Sequence, residues 1–357
     1  MFLQKRLTSL QNKLKENNMD AILITSPVSR VYITGFTGTA GYGIVMQSGA
    51  FLFTDFRYTQ QAREQAKHFN VIEFQGNPLD SINSLLKDHT IRKLGFEDKD
   101  VTYAQFEQFK DKMNAVRLEH VGSIIEDLRV IKDEQEIQKM REAARIADLG
   151  FKHILGYVKP GMTENDVALE LEYFMKRNGA KGLSFETIAA SGVRSSLPHG
   201  VASMKKIEKG DLLTLDFGCI FEGYCSDMTR TIGIGALDDK QKQIYKIVLE
   251  AQMKALDAIT AGKTGTEIDK IARDIITDYG YGSQFGHGLG HGVGLEIHEA
   301  PRLSVAGENK LKKGMVVTVE PGIYIEGFGG VRIEDMVVVT DSGIDNLTSS
   351  TKELLII

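Results

Sequence analysis

Two apolar stretches of the chain each carry one acid. Leu212-Leu213-Thr214-Leu215-Asp216-Phe217 reads as a strand containing Asp216, and Met315-Val316-Val317-Thr318-Val319-Glu320 as another ending on Glu320. A buried lone carboxylate is costly unless it is paired, hydrogen-bonded or on a metal. A second acid follows each: Asp227 after Asp216, and Glu334, in Gly330-Val331-Arg332-Ile333-Glu334-Asp335, after Glu320. The odd separation of eleven between Asp216 and Asp227 suits a hairpin with an even loop near residues 221–223. The two acids are then opposite or diagonal on one face, about 5–8 Å apart. Two unshielded acids that close cannot both stay ionised, and a divalent cation resolves the conflict. Glu320 and Glu334 flank a Gly327-Phe328-Gly329-Gly330 turn in the same manner. Any one of these acids alone reads as a salt-bridged strand-end carboxylate, but four at related positions read as a set. Their charge balances two divalent ions, with His291 as a nitrogen ligand. Oxygen-rich coordination with one imidazole suits manganese, cobalt or zinc. Two such ions share a water, lower its pKa and polarise a carbonyl or phosphoryl oxygen, which is hydrolytic chemistry. Cys219 and Cys225, the only cysteines, are too few for structural zinc and read as strand packing.

His291 lies in a stretch, 285–299, where glycine takes every second position from Gly286 to Gly294. The His287/His291 spacing of four would put both rings on one face of a helix, as in a helical zinc motif. Each helical glycine costs roughly 0.8–1.0 kcal/mol relative to alanine, so five cost about 4–5 kcal/mol, comparable with a small domain's whole stability. An extended backbone fits instead, with the glycines on one face and His287, Leu289, His291 and Val293 on the other. The bare face is expected to clear a peptide or a neighbouring loop. His199, in Leu197-Pro198-His199-Gly200, and His298 are paired by the internal repeat described next, and both could donate to a tetrahedral intermediate. His68, His89, His120 and His153 lie in no motif and read as core or surface imidazoles.

The elements that must position these residues repeat. Gly161-x-Thr163-x-x-Asp166-Val167, with Gly179 closing its helix, is matched by Gly262-x-Thr264-x-x-Glu267-Ile268, closed by Gly280. Thr163 and Asp166 resemble a capping box. Downstream, Gly210–Gly218 matches Gly314–Gly322, and His199 takes the place of His298. Two helix-then-strand units imply a duplicated α+β domain with an internal pseudo-twofold. A helix over about 132–157 precedes it, with Ile137, Met140, Ala144, Ala147 and Phe151 along one stripe. Before residue 126, strand-like pieces (20–25, 43–46, 50–53, 71–74, 93–97) alternate with helix-like ones (1–17, 59–67, 79–87, 103–113), as in a small α/β domain. The expected domains are thus 1–125 and 126–357. Gly35–Gly43 lacks the Gly-Lys-Ser/Thr end of a phosphate loop and reads as a flexible loop.

Composition excludes several classes. A formal charge of −5 leaves no basic footprint for nucleic acid and no polybasic membrane patch. No run of eighteen apolar residues exists, so no membrane helix is expected. The start of the chain lacks a signal peptide's apolar core, and with two cysteines read as reduced thiols the expected compartment is the cytoplasm.

In this order the motifs resemble the pita-bread metallopeptidases, a group with methionine aminopeptidase, aminopeptidase P, prolidase and metal-free creatinase. The matching stretches are Leu215-Asp216-Phe217-Gly218, Ser226-Asp227-Met228-Thr229-Arg230, His287 to Glu299, Glu320-Pro321-Gly322-Ile323-Tyr324 and Val331-Arg332-Ile333-Glu334-Asp335. They look like the Xaa-Pro branch and span essentially the whole chain. The resemblance implies an α/β creatinase-like N-terminal domain ahead of an α+β pita-bread catalytic domain. It implies Asp216, Asp227, His291, Glu320 and Glu334 as dinuclear metal ligands, with Asp227 and Glu334 bridging. It further implies that Glu320 carries the proton to the leaving proline nitrogen, that His298 stabilises the oxyanion, and that His199 and His287 shape the substrate site. Arg332 would orient the substrate or its neighbouring ligand, Gly35–Gly43 could be a mobile cover, and the relatives are usually homodimers. The expected substrate is a peptide with proline second. An Xaa-Pro bond is a tertiary amide without an N–H, which peptidases that require that N–H fail to bind. Arg302, in Glu299-Ala300-Pro301-Arg302, lies where some prolidases hold a dipeptide's free carboxylate, whereas Gly35–Gly41 and Thr54–Tyr58 look more like short aminopeptidases P. The sequence leans to aminopeptidase P, with prolidase as the alternative and a non-catalytic peptide-binding protein on the same fold as the remote one.

Overall fold

Contacts in the computed structural model, which describes residues 2–357, divide the chain into Met1–Arg129 and Val130–Ile357. The first unit is built on a six-stranded mixed sheet of β1 (Ala21–Ile24), β2 (Tyr42–Met46), β3 (Ala50–Thr54), β4 (Asn70–Glu73), β5 (Lys93–Phe96) and β6 (Arg117–His120). The order is β4-β3-β2-β1-β5-β6, with β1 parallel to β5 and antiparallel to β2. Helices α1 (Phe2–Glu16), α2 (Pro27–Thr34), α3 (Thr59–Gln65), α4 (Pro78–Asp88), α5 (Tyr103–Lys112) and α6 (Ile124–Arg129) connect and flank it. Leu23, Ile44 and Phe53 of the sheet share a buried cluster with Ile82 and Leu86 of α4 and Phe109 of α5.

The glycine-rich segment after α2 is pinned, not loose. Arg30 Nη1 and Nη2 donate to the carbonyls of Gly41 and Gly38, each at 2.8 Å. Thr54 Oγ1 donates to Ala40 O, and Phe36 is fully buried. Buried carbonyls need donors, and a buried guanidinium supplies them here.

The second unit opens with Asp133 capping α7 (Glu134–Tyr157), followed by α8 (Glu164–Arg177). Its first sheet strands are β7 (Gly182–Leu183), β8 (Ile188–Ser191), β9 (Leu212–Phe217), β10 (Cys219–Phe221), β11 (Tyr224–Cys225) and β12 (Met228–Gly233). Then come α9 (Asp239–Ala258) and α10 (Gly265–Asp278). They are followed by β13 (Gly290–Gly292), β14 (Glu299–Leu303), β15 (Val316–Val319), β16 (Gly322–Ile325), β17 (Gly329–Arg332), β18 (Asp335–Val339) and β19 (Ile344–Asn346). Both capping boxes read from the repeat are made: Thr163 with Asp166 opens α8, and Thr264 with Glu267 opens α10. Each helix pair buries one face on its own half. Phe151, Leu171 and Met175 pack with Leu213, Leu215 and Phe217, while Ile244, Val248, Ile268 and Ile276 pack with Val317, Val319 and Val337.

The glycine-rich stretch departs from its expectation. Only Gly290–Gly292 is strand, lodged between β14 and β15 in a sheet of order β14-β13-β15-β18-β19. A Cβ on Gly290 would overlap the Thr318 carbonyl, and one on Gly292 would overlap that of Ala300. At Gly290 and Gly292 the bare positions therefore clear the neighbouring strands, whereas a Cβ on Gly286 would meet nothing within 4 Å.

Candidate metal centre

A tight turn sets the parity of the first two acids. In the β9–β12 ladder Asp216 faces Thr229, and in the β10–β11 ladder Phe221 faces Tyr224 in the same register. The turn is Glu222-Gly223, with φ of 44° and 90°. Two residues at positive φ make the two-residue hairpin turn whose twist suits the flanking strands. Asp227, two residues before Thr229, is thus diagonal to Asp216 on one face. In the second half Gly322 faces Arg332, and Ile333 N–H still donates to Pro321 O. Continuing that register sets Glu320 opposite Glu334.

The halves converge on His291. Ligand atoms of Asp227, His291 and Glu334 lie within 4.8 Å of one another. His291 Nε2 is 3.6 Å from Asp227 Oδ2 and 3.4 Å from Glu320 Oε1. Its Nδ1 is 3.0 Å from the Gly292 carbonyl, so Nδ1 carries the hydrogen and Nε2 offers a lone pair to the acids. Burial pushes His291 down to about 4, which keeps it neutral. Burial pushes Glu320 up to about 8, with Asp216 adding to the shift and Arg332 opposing it. Asp227 and Glu334 are raised well above the carboxylate range, by burial first and then by the neighbouring acids. Asp216 Oδ1 is buried and accepts no hydrogen bond. Crowded, under-satisfied carboxylates around one neutral imidazole are a donor set that fits divalent cations.

Neighbouring polar groups hold these side chains. Thr318 Oγ1 accepts from the His291 N–H at 3.0 Å and donates to Glu320 Oε1 at 3.2 Å. Thr229 Oγ1 donates to Glu334 Oε2 at 2.7 Å. Arg332, expected from the resemblance to orient the substrate or its neighbouring ligand, is buried and spends its donors on the protein. They go to Asp216 Oδ2 at 2.6 Å, the Tyr324 hydroxyl at 2.8 Å, Thr229 Oγ1 at 3.1 Å and Pro198 O at 3.2 Å. Of the two expected roles, the Asp216 contact is the one these bonds favour. His287 has both ring nitrogens occupied, Nδ1 on Gly288 O and Nε2 on the Tyr324 hydroxyl, at 2.8 and 2.9 Å. Burial lowers it to about 4, so it meets the Arg332–Asp216 pair through Tyr324 while neutral. His298 is exposed with its ring 4.4 Å from that of His291. His199 is exposed beside Pro198. Arg302 is exposed and directly opposite His291 across β13 and β14, hence on the same face. Thr229, Thr318 and Tyr324 escaped the sequence reading. The signal available for the two threonines was a hydroxyl in an apolar strand two residues from an acid.

A buried nitrogen–oxygen centre assembled from two repeated halves is the arrangement of a pita-bread metallopeptidase. The chain matches metallopeptidase family M24 over residues 138–341 and the creatinase/prolidase N-terminal domain over residues 6–131. It belongs to that metallopeptidase family. Among its relatives, an Xaa-Pro dipeptidase of Pyrococcus furiosus is 44% identical over 355 residues, covering 99% of this chain and 100% of the relative. The structure of an Xaa-Pro dipeptidase from Bacillus anthracis matches with TM-score 0.98 at 48% identity, covering 99% of this chain and 100% of that one. An X-Pro aminopeptidase from Thermotoga maritima matches with TM-score 0.92 at 38% identity, over 97% of this chain and 100% of that one.

Proposed function

We propose that this metallopeptidase is an Xaa-Pro dipeptidase, a prolidase that hydrolyses dipeptides ending in proline. The sequence's lean to aminopeptidase P gives way to its alternative, because the dipeptidase relatives at 44% and 48% identity stand above the aminopeptidase at 38%. The observation that carries the dipeptide reading is Arg302. Its exposed guanidinium, on the His291 face of β14, suits the free carboxylate that every dipeptide presents.

Asp216, Asp227, His291, Glu320 and Glu334 are assigned as the holders of two divalent ions, manganese first, with cobalt or zinc as alternatives. Bound there, the ions supply Lewis-acid polarisation of the scissile carbonyl and neutralise the acids. Glu320 takes a proton on its carboxylate from the attacking water and returns it to the prolyl nitrogen, which leaves as a secondary amine. Burial raises the Glu320 carboxyl well above the usual carboxylate range in the metal-free site, which is in keeping with a proton-accepting role. His298 donates to the developing oxyanion, and His199 lines the entrance for the N-terminal residue. Arg332 and Tyr324 hold Asp216 and His287 in register. A cytoplasmic homodimer is the setting we assign, in keeping with two buried unpaired thiols and the family resemblance. Among the described residues no helix is long and apolar enough to cross a membrane.

The test is chelation followed by manganese add-back, with hydrolysis measured on Xaa-Pro and Xaa-Pro-Yaa. Metal-restored cleavage confined to the dipeptide is expected. Preference for the longer peptide restores the aminopeptidase reading, and no hydrolysis of either defeats both.

A further inference from the structure

Behind the centre lies a buried ion pair that none of the chemistry above uses. Arg230 and Asp335 are 1% and 0% exposed, with Nη2 to Oδ1 at 2.7 Å. All five guanidinium N–H groups of Arg230 are engaged. Nη1 donates to Thr229 O at 2.9 Å and to Glu334 O, Nη2 to Asp335 Oδ1 and to Ser350 O at 2.8 Å, and Nε to Thr351 O at 3.0 Å. One nitrogen of Arg230 thus spans the strand that follows Asp227 and the backbone of Glu334 itself. The Glu334 N–H also donates to Thr229 O, and the Thr229 hydroxyl holds the Glu334 carboxylate. The guanidinium thus braces the same two strands that Thr229 and Glu334 tie directly, and with them the placement of Asp227 against Glu334.

What fixes the guanidinium is the chain segment 349–357. Lys352 Nζ reaches Asp335 Oδ2 at 2.7 Å, an oxygen that also accepts from Gln252 and Asn346. Asp148 of α7 accepts from the N–H and hydroxyl of both Ser349 and Ser350, at 2.6–2.9 Å. Tyr245 donates to Lys352 O, and Gly233 exchanges backbone bonds with Leu355 and Ile357. Buried ion pairs contribute little net stability compared with apolar packing, so such a fully bonded cage is better explained by the geometry it enforces.

We infer that Arg230, Asp335 and residues 349–357 form a positioning unit that sets how tightly the centre holds its divalent ions, an inference resting on the metal-centre reading above. None of these side chains is a proposed ligand or substrate contact. The unit acts through the placement of Glu334 against Asp227. Groups that orient metal ligands typically govern about ten- to a hundred-fold in affinity.

Manganese affinity of the chelated full-length protein, read by calorimetry or competition with a chromophoric chelator, tests this. Lys352→Met, Asp148→Asn and Arg230→Lys should each weaken manganese binding by about ten- to a hundred-fold. At saturating manganese kcat should recover while KM for substrate stays put. Ile276→Val, a core truncation in α10, should lower Tm and leave manganese affinity unchanged. Variants that lose Tm yet bind manganese as tightly as wild type overturn the inference. Should Arg230→Lys fail to fold, the two partly exposed positions, Asp148 and Lys352, decide alone. Wild type that neither binds manganese nor cleaves Xaa-Pro would overturn the metal-centre reading beneath it, a distinguishable failure.

Discussion

Replacing Arg302 with methionine removes a charge while keeping an apolar stem of similar reach. Arg302 faces His291 across β13 and β14, and among the described residues its side chain makes no hydrogen bond or ion pair that would need rebuilding. The substitution should therefore leave the fold alone and act on the substrate's carboxylate. A bidentate, charge-assisted contact is worth about 1.5–3 kcal/mol when desolvated. Arg302 is exposed, and solvent screening lowers that to about 1–2 kcal/mol. The expected loss is roughly 5- to 30-fold in kcat/KM for Ala-Pro, carried mainly by KM because the carboxylate is distant from the reacting bond. Ala-Pro-amide has no charge to lose and should be cleaved equally by both enzymes. Arg302→Lys, which keeps the charge without the fork, should fall between them. The assay is initial-rate kinetics on the two substrates with wild type and both variants. Equal losses on acid and amide, or none on the acid, would refute the role given to Arg302.

Asp227→Asn should lower manganese affinity by more than about tenfold and activity with it, measured by metal analysis after dialysis; undiminished metal and activity contradict the ligand assignment. In metal-free protein Glu320, raised from 4.5 to about 8, binds its proton more tightly folded than unfolded. Its contribution is intact below pH 4.5 and lost as pH rises through about 8, so metal-free Glu320→Gln should gain Tm over wild type across that window. A Tm difference that stays constant with pH refutes this. Gly290→Ala should cost about 1–3 kcal/mol or more, because its Cβ meets the Thr318 backbone, which has no room to retreat. Gly286→Ala, with nothing within 4 Å, should be silent in the same thermal melt.

The parts legible in the sequence were those with local causes. Thr163/Asp166 and Thr264/Glu267 announce their helices because a capping box is made within four residues. Asp216 and Asp227 could be placed on one face because hairpin parity is a matter of counting. The bonds from Thr229 to Glu334, from Arg332 to Asp216 and from Arg230 to Ser350 were not legible, since their partners lie more than a hundred residues apart. Glycine alternation misled as to length. It mimics a strand's period of two, but only Gly290–Gly292 is strand, and there Gly290 and Gly292 record close approach by β15 and β14.

The donors of the centre are divided between the two repeated halves, with Asp216 and Asp227 on the β9–β12 hairpin and His291, Glu320 and Glu334 in the second half. The two repeated halves meet at this set of side chains within one folded unit. With the assigned ligand set, bound cations would link the two halves, and separating them would cost donors on both sides. Saturating cation would then raise the cost of any opening that pulls these side chains apart.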